Sequence, residues 1–214
     1  MRPRFRPAGV IIAILAAILL AAPAAAASPW VTFKQSGTSA VASTGTCTEN
    51  ADGTMTCQSQ HIDAFEGTIR QSGEPTRRGD QVCYSESTDT FDPITGELIE
   101  SHSLFGCAVD TGTVTINNLT SITLASTDIE LTAFDCDPTS CTESPGGSTT
   151  VQGTWTGIGP ITSQKGHFSY DDGTCVQVNA DRGSFRQASF DGSIDALDAS
   201  IGQGSFTFRT TCAF

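Results

Sequence analysis

Beyond Trp30 the hydrophobic and polar positions alternate with a period of two, and no stripe with helical spacing is found. Ile122 and Leu124 are separated by polar residues, and so are Ile129 and Leu131. The alternate positions of the last segment are Phe206, Phe208, Thr210, Cys212 and Phe214, which would share one face. Such alternation is typical of β-strands that bury one face and expose the other.

Turn-forming residues separate these apolar runs along the chain. They are Asp52-Gly53, Ser72-Gly73, Asn117-Asn118, Asp172-Gly173, Asp191-Gly192 and Gly202-Gln203-Gly204. Strands of this length between such turns predict an all-β protein, an antiparallel β-sandwich or barrel-like domain. Residues 135–150 are the most loop-like stretch, because Pro138, Pro145, Gly146 and Gly147 fall within it. This stretch either divides two subdomains or links two sheets, and one domain over residues 28–214 is favoured.

The N-terminal residues follow a different pattern. Arg2, Arg4 and Arg6 precede an apolar run over residues 9–22, and small residues follow up to Ser28. A basic start, a short apolar run and an Ala-x-Ala exit predict a secretory signal peptide over residues 1–27, with its apolar part helical. The alternative is a membrane anchor, but the run is shorter than the about 20 residues that span a bilayer. We therefore expect a secreted, extracellular protein with no membrane segment after cleavage.

All eight cysteines follow the predicted signal peptide, and an even number in an exported chain predicts disulfides. Cys47 and Cys57 are equidistant from the turn residue Asp52, and Cys83 and Cys107 are equidistant from Thr95. Each pair fits a bridge between neighbouring strands. A short turn separates Cys136 from Cys141, which leaves Cys175 and Cys212 as the fourth pair. A zinc site is the alternative, but Cys-x-x-Cys pairs are absent from the sequence.

Composition and charge restrict the partners. The chain has 11 Lys and Arg against 23 Asp and Glu, a net charge of −12. Removing residues 1–27 takes away three arginines and no acid, so the mature charge is −15. This charge argues against nucleic acid and anionic membranes as partners. Few aliphatic residues and many hydroxyl groups also predict a thin core, to which disulfides would add about 2–4 kcal/mol each.

Motifs for catalysis are sparse. The sequence has no Gly-x-Ser-x-Gly elbow, no His-Glu-x-x-His pair and no phosphate-binding glycine loop. Asp128 and Glu130 share one face of a predicted strand and offer the paired carboxylates of a glycosidase. Asp171 and Asp172 are a second such pair, and Trp155, His167 and Tyr170 are candidate sugar platforms. A solvated polar face and a core tryptophan are the simpler interpretations of these residues.

Three other features carry weaker hypotheses. Carboxylates and an amide near turns offer calcium ligands, namely Asn50, Asp52, Asp135, Asp137, Asp171 and Asp172. Arg78-Gly79-Asp80 spells an integrin-binding tripeptide, and Asn118-Leu119-Thr120 fits the N-glycosylation pattern. No EF-hand loop is complete, and turn formation alone accounts for an aspartate beside a glycine.

The sequence therefore favours a secreted, non-enzymatic, disulfide-stabilised β-domain that serves as a binding or surface-associated module. Its partner would be an unidentified protein or glycan, and we predict no catalytic residues, no metal ligands and no cofactor. One alternative is a carbohydrate-active hydrolase or lyase that uses the acid pairs above. A second is an outer-membrane β-barrel, suggested by the alternating phenylalanines of the last strand. An inhibitor that presents residues 73–81 as a rigid loop is a third.

Overall fold

The computed structural model describes residues 31–171 and 175–212, and they form ten β-strands without a helix. The all-β class and the presence of disulfides are confirmed. The strands are β1 (Val31–Glu49), β2 (Met55–Gln71), β3 (Arg77–Phe91), β4 (Leu98–Val109), β5 (Val114–Asn117), β6 (Ser121–Cys136), β7 (Cys141–Gly157), β8 (Thr162–Asp171), β9 (Cys175–Gly192) and β10 (Asp198–Cys212). The predicted signal peptide, residues 1–27, lies outside the described residues.

All ten strands belong to one sheet, and every pair of neighbouring strands is antiparallel. The order β10-β1-β2-β3-β4-β6-β7-β9 closes on itself, because β10 pairs with both β1 and β9. The short β5 pairs with β6, and β8 pairs with β9 outside this ring of eight strands. The fold is therefore one continuous sheet that closes on itself, and not the two separate sheets of a sandwich.

The apolar core fills the inside of the ring. Alternation along β1 and β2 places Ala40, Ala42, Ile62 and Ala64 inside, and all four are fully buried. Trp155 of β7 crosses the core and packs at 4.7 Å, centroid to centroid, against the ring of Phe190. Trp155 and the small residues Ala40, Ala42 and Ala64 belong to the same buried cluster. We call the core side of each strand its inner face and the other side its outer face.

Three disulfides staple neighbouring strands within this sheet. They join Cys47 to Cys57, Cys83 to Cys107 and Cys136 to Cys141. Each bonded pair is directly opposite in its antiparallel ladder, at Cα separations of 4.0 to 4.1 Å. Cys175 of β9 likewise lies opposite Cys212 of β10 along the backbone. A bond between that last pair stays a prediction.

Residues 135–150 form a β-hairpin and not the loop that their composition predicts. The β6 and β7 strands are joined by a tight turn in which Asp137 accepts hydrogen bonds from the backbone N–H groups of Thr139 and Ser140. Pro145 and Gly147 lie at a register shift between the two strands. A bulge tolerates proline, because its missing N–H is not needed there. The segment thus continues the sheet instead of interrupting it.

A band of directly opposite glycines crosses the outer face of five strands. Its members are Gly183, Gly204, Gly37, Gly67 and Gly79, in the order β9, β10, β1, β2 and β3. A Cβ atom on Gly37 or Gly67 would overlap a backbone carbonyl oxygen of the neighbouring strand. The ring of Phe65 lies over both glycines. Only glycine therefore fits at these two positions, where the backbones of neighbouring strands approach closely.

A candidate anion-binding face

The ring closes only through the middle of the strands, and the sheet is open at both ends. Toward one end, β1 keeps β10 as a neighbour as far as Ser43, which lies opposite Asp198. Toward the other end, β9 leaves β7 after Ala188, which lies opposite Gly157, and pairs with β8 instead. The inner face of each open end is consequently not enclosed by strands across the ring.

One open end collects most of the basic residues of the protein. Of the eleven Lys and Arg residues, three precede residue 28, and six of the other eight point to this inner face. These six, which we call the basic face, are Lys34, Arg70, Arg78, Lys165, Arg182 and Arg209. Each of them lies an even number of positions from a buried core residue of its own strand, or directly opposite a residue that does. Its side chain is therefore on the inner face. All six are exposed.

The basic face spans six strands in three rows. One row of directly opposite residues runs through Arg78, Thr68, Ser36, Ser205, Arg182 and Lys165. At about 4.8 Å between strands, this row is about 24 Å wide. The next row holds Arg70 and Lys34, and Arg209 lies in the third. In the first row, the hydroxyl groups of Thr68, Ser36 and Ser205 lie between Arg78 and Arg182.

Two like-charged pairs lie directly opposite each other on this face. Lys34 faces Arg70 on the neighbouring strand, and Lys165 faces Arg182. Like charges at such positions destabilise a sheet. Within the described residues, none of the six side chains donates a hydrogen bond or forms an ion pair, although acids outnumber bases in this chain. The arrangement leaves six cations available to an anion.

The two remaining basic residues of the described chain lie outside the basic face. Arg186 lies on the inner face nearer the core, and its guanidinium donates to the backbone carbonyls of Gly159 and Leu119. Arg77 precedes Arg78 on β3 and therefore points to the outer face. Like Arg78, Arg77 is exposed and lies at the start of β3, but it faces away from the other cations.

The opposite open end carries only acidic charge. Residues 44–60, 85–104 and 132–148 contain no Lys or Arg. They contain ten of the 23 acids, which are Glu49, Asp52, Glu86, Asp89, Asp92, Glu97, Glu100, Asp135, Asp137 and Glu143. We call these three segments the acidic extension. These ten acids are thus separated from the basic face along the strand direction.

Polar side chains on the inner face of the acidic extension bond to one another. Tyr84 Oη donates to Glu86 at 2.5 Å, and Gln60 Nε2 donates to Tyr84 Oη at 3.2 Å. Burial, followed by the bond and charge of Glu86, raises the pKa of Tyr84. On neighbouring strands, His102 Nδ1 lies 2.6 Å from Asp135 Oδ1. Each of these polar side chains therefore has a hydrogen-bond partner on its own or a neighbouring strand.

The carboxylate pair Asp128 and Glu130 does not meet the aromatic residues proposed as sugar platforms. Both acids are exposed on the outer face of β6, where Asp128 accepts a hydrogen bond from Thr150. Trp155 is fully buried in the core, so it offers no platform. His167 and Tyr170 of β8 are exposed but point to opposite faces of the strand. Asp171 is exposed on the same face as His167, and Asp172 lies outside the described residues.

Two of the aspartates proposed as calcium ligands, Asp52 and Asp137, accept hydrogen bonds within their own turns. Asp52 accepts from the backbone N–H and the hydroxyl of Thr54, which lowers its pKa. The corresponding bonds from Thr139 and Ser140 lower the pKa of Asp137 to about 2. Within the described ranges, no group of three His, Cys, Asp or Glu side chains is placed to hold a metal ion.

The Arg78-Gly79-Asp80 tripeptide is not presented to a partner as a flexible loop. These residues begin β3, so the predicted loop over residues 73–81 reduces to a turn before Arg77. The Asp80 carboxylate is buried and accepts four hydrogen bonds from residues 111–114. Asp80 therefore fixes the connection between β4 and β5. In the glycosylation tripeptide, Asn118 is exposed in a turn and Leu119 is buried.

A buried carboxylate on the outer face gives the fold a pH dependence. Asp63 lies opposite Cys83 on β3, and its Oδ1 is buried without a hydrogen-bond partner among the described residues. Burial raises the pKa of Asp63 to about 6. Between about pH 4 and pH 6, the folded protein keeps this proton while the unfolded chain has lost it, so this group stabilises the fold less as pH rises.

Asp63→Asn is expected to raise the free energy of unfolding by about 1–2 kcal/mol at pH 8 and by little at pH 4, because the amide carries no charge. Urea unfolding at the two pH values measures this difference. Burial also lowers the pKa of His61, but that effect is common to both proteins and cancels. Glu130→Gln, on the exposed outer face, is the control. An equal gain at both pH values would contradict the explanation.

Within the described part of the chain, no helix is long and apolar enough to span a bilayer. The three disulfides indicate an oxidising environment such as the extracellular space. No protein-family model, no curated protein and no solved structure matches this chain.

Proposed function

We propose that this chain is an exported, barrel-like binding module that takes an anionic polysaccharide on its basic face. The observation that carries this proposal is the set of six exposed, unpaired cations on one inner face of an acidic protein. The opposed pair Lys34 and Arg70, like the pair Lys165 and Arg182, costs stability unless an anion lies between or above its members. Sites that cost stability are kept for function.

The chemistry of the face favours a polysaccharide with carboxylate or sulfate groups. Hydroxyl groups of Ser36, Thr68 and Ser205 lie between the cations and offer hydrogen bonds to sugar hydroxyls. The row width of about 24 Å exceeds a single small anion and suits a chain of repeating units. Nucleic acid is also a polyanion, so the net charge does not distinguish it from a sulfated polysaccharide, and the comparison with double-stranded DNA in the test below does.

Binding is preferred over catalysis for a geometric reason. Asp128 and Glu130 are exposed on the outer face, away from the basic face and without an aromatic platform beside them. A glycosidase needs both acids to flank one bond of a bound sugar chain. The carboxylates of the acidic extension lie at the other end of the strands.

The test measures binding of the protein recovered from an oxidising export host to immobilised dextran sulfate and polygalacturonate, with neutral dextran as reference. Binding to at least one anionic polymer is expected, and the double variant Lys34→Gln/Arg70→Gln should weaken it at least tenfold. Arg78→Gln should weaken it more than Arg77→Gln, its matched control on the outer face. Raising the salt concentration should weaken binding further, since exposed charges are screened.

Three results would overturn the proposal. They are the absence of binding to both anionic polymers, equal losses for Arg78→Gln and Arg77→Gln, and tighter binding to double-stranded DNA than to either polysaccharide. Circular dichroism of each variant checks that the β-sheet is retained, so that a loss of binding is assigned to the removed charge.

A further inference from the structure

We infer that the outer face of the sheet, near its basic end, binds an uncharged β-1,4-linked polysaccharide of the cellulose and chitin type. This site lies on the opposite side of the sheet from the basic face and takes a different ligand, so the inference does not depend on the proposed function. Three observations carry it: aromatic side chains gathered on one face, amide side chains between them, and a single charge among them.

Five aromatic side chains lie together on this outer face, beyond the glycine band. Phe206 and Phe208 of β10 alternate along their strand, and Phe33 of β1 lies directly opposite Phe208, with its ring centroid 6.4 Å from that of Phe206. On β8, Phe168 is 58% exposed and Tyr170 is 50% exposed. All ten strands belong to one sheet, so no second sheet covers these rings. Apolar side chains gathered on an exposed face indicate an interaction site.

Amide side chains alternate with these rings. Asn179 of β9 lies directly opposite Phe168 on one side and Phe208 on the other. Gln177 lies directly opposite Tyr170 in the next row. Each exposed ring thus has an amide beside it, about 4.8 Å away across the strands. An aromatic ring packs against the C–H face of a sugar, and an amide both donates to and accepts from sugar hydroxyls. We call the five rings and these two amides the aromatic face.

The amide of Asn179 gives independent support for a ligand. The residue is partly exposed, but its Oδ1 is buried and has no hydrogen-bond partner among the described residues. A buried acceptor without a partner costs stability, which an apolar side chain of similar size would avoid. Sites that cost stability are kept for function. A small rotation of the amide would bring Oδ1 to the surface, where a sugar hydroxyl supplies the missing hydrogen bond.

The chemistry of the aromatic face favours an uncharged polysaccharide over other occupants. On the four strands that carry its rings, Asp181 is the only charged residue of the described outer face beyond the glycine band, so the face does not attract a polyanion. A lipid surface would remove water from Asn179 and Gln177 without returning a hydrogen bond. A second copy would bury only about 400 Å² here, whereas a stable interface buries about 800 Å² per partner.

The spacing of the rings favours an extended sugar chain. Phe168 and Phe208 lie two strands apart, a distance of about 9.6 Å that is comparable with the length of an extended disaccharide. A β-1,4-linked chain is a flat ribbon that presents the C–H faces of its rings along its length. Lying across the strands, it would contact Phe168, Asn179, Phe208 and Phe33 in turn. Dextran bends at its α-1,6 links and presents no such ribbon.

Depletion of the exported protein from solution by microcrystalline cellulose and by chitin tests the inference. Binding to at least one of them is expected in concentrated sodium chloride, which screens the exposed charges of the basic face. The double variant Phe168→Ala/Tyr170→Ala should weaken this binding at least tenfold. Phe185→Ala is the matched control, because Phe185 is 40% exposed on the outer face of β9 but lies on the other side of the glycine band. It should bind as the wild type does.

Asn179→Leu separates sugar binding from apolar docking. The variant cannot form a hydrogen bond with a sugar hydroxyl, so its affinity for the polysaccharide should fall severalfold. Docking to lipid or to an apolar protein surface would instead be strengthened. Urea unfolding checks the fold of this variant, whose stability should be unchanged or higher, since Oδ1 has no partner to lose.

Four results would overturn the inference. They are no depletion by either polymer, equal losses for Phe168→Ala/Tyr170→Ala and Phe185→Ala, tighter binding by Asn179→Leu, and binding of the wild type to phosphatidylcholine vesicles but to neither polymer. Salt dependence separates this site from the proposed function, because binding of dextran sulfate weakens with salt whereas binding of cellulose or chitin persists. Binding of cellulose or chitin without binding of either anionic polymer would overturn the proposed function alone.

Discussion

Replacing Asp80 with alanine is expected to lower the free energy of unfolding by about 3–5 kcal/mol, because four partly buried donors lose their hydrogen bonds to the carboxylate. The carboxylate accepts from the hydroxyl of Thr111 at 2.8 Å and from the backbone N–H of Gly112 at 3.1 Å. It also accepts from the N–H groups of Thr113 at 2.9 Å and Val114 at 3.2 Å. Only 8% of Asp80 is exposed, so water cannot readily replace these hydrogen bonds unless the β4–β5 connection opens.

Urea unfolding of the Asp80→Ala variant measures this loss. Asp92→Ala is the matched control, since Asp92 accepts backbone N–H bonds from Ile94 and Thr95 in an exposed turn. Its loss should be about 1 kcal/mol or less, because water replaces the carboxylate there. Equal losses for the two variants would show that Asp80 acts only as a turn residue.

The same carboxylate gives the fold a sensitivity to acid. Although burial opposes it, the bonds from Thr111, Gly112, Val114 and Thr113 lower the pKa of Asp80 to about 2. A carboxyl whose pKa is lowered on folding stabilises the protein at pH values above its pKa in the unfolded chain, which is near 3.9. This stabilisation is lost as the pH falls toward 2. Wild-type stability should therefore decline between pH 4 and pH 2, and Asp80→Ala should decline less over that range.

Local patterns in the sequence predict the elements that local chemistry determines. Period-two alternation predicts the strands, since each has one face in the core. Cys47 and Cys57 are equidistant from Asp52, and the hairpin centred on that turn places them directly opposite each other. The β6–β7 hairpin is not predicted by local pattern, because Pro145 and Gly147 are strand breakers that the structure accommodates at a bulge.

The basic face depends on register between distant segments, which local patterns do not contain. Lys34 and Arg70 lie 36 positions apart in the chain, and Arg182 and Lys165 belong to different strands again. Net charge alone argues against nucleic acid and anionic membranes as partners, but a sum does not record where the charges lie. The sequence does contain one indication of this face. Lys34 is an even number of positions from Ala40, and Arg70 from Ile62, so each cation lies on the same face of its strand as a core residue.

A substitution in the glycine band is expected to cause the second large loss of stability, because the strands approach each other too closely there for a side chain. Gly67→Ala is expected to destabilise the protein by about 3 kcal/mol, at the upper end for overpacked sites. The added methyl group would overlap the carbonyl oxygen of Ser36. It would also lie 2.6 Å from Cζ of Phe65 and 2.7 Å from Cα of Gly37. A backbone carbonyl within a ladder has no rotamer by which to move away, so the strands themselves must separate.

Thermal and urea unfolding of Gly67→Ala against Gly45→Ala test this explanation. Gly45 of β1 lies in the same sheet, but a Cβ atom there would meet its nearest neighbour, the carbonyl oxygen of Gln58, at 3.7 Å. Alanine at Gly45 should be neutral or stabilising by about 0.5 kcal/mol, since it restricts only the unfolded chain. Similar effects at both sites would mean that conformational entropy, and not close approach, explains the glycines. A large loss confined to Gly67 would show that the close approach of the strands is what requires glycine in this band.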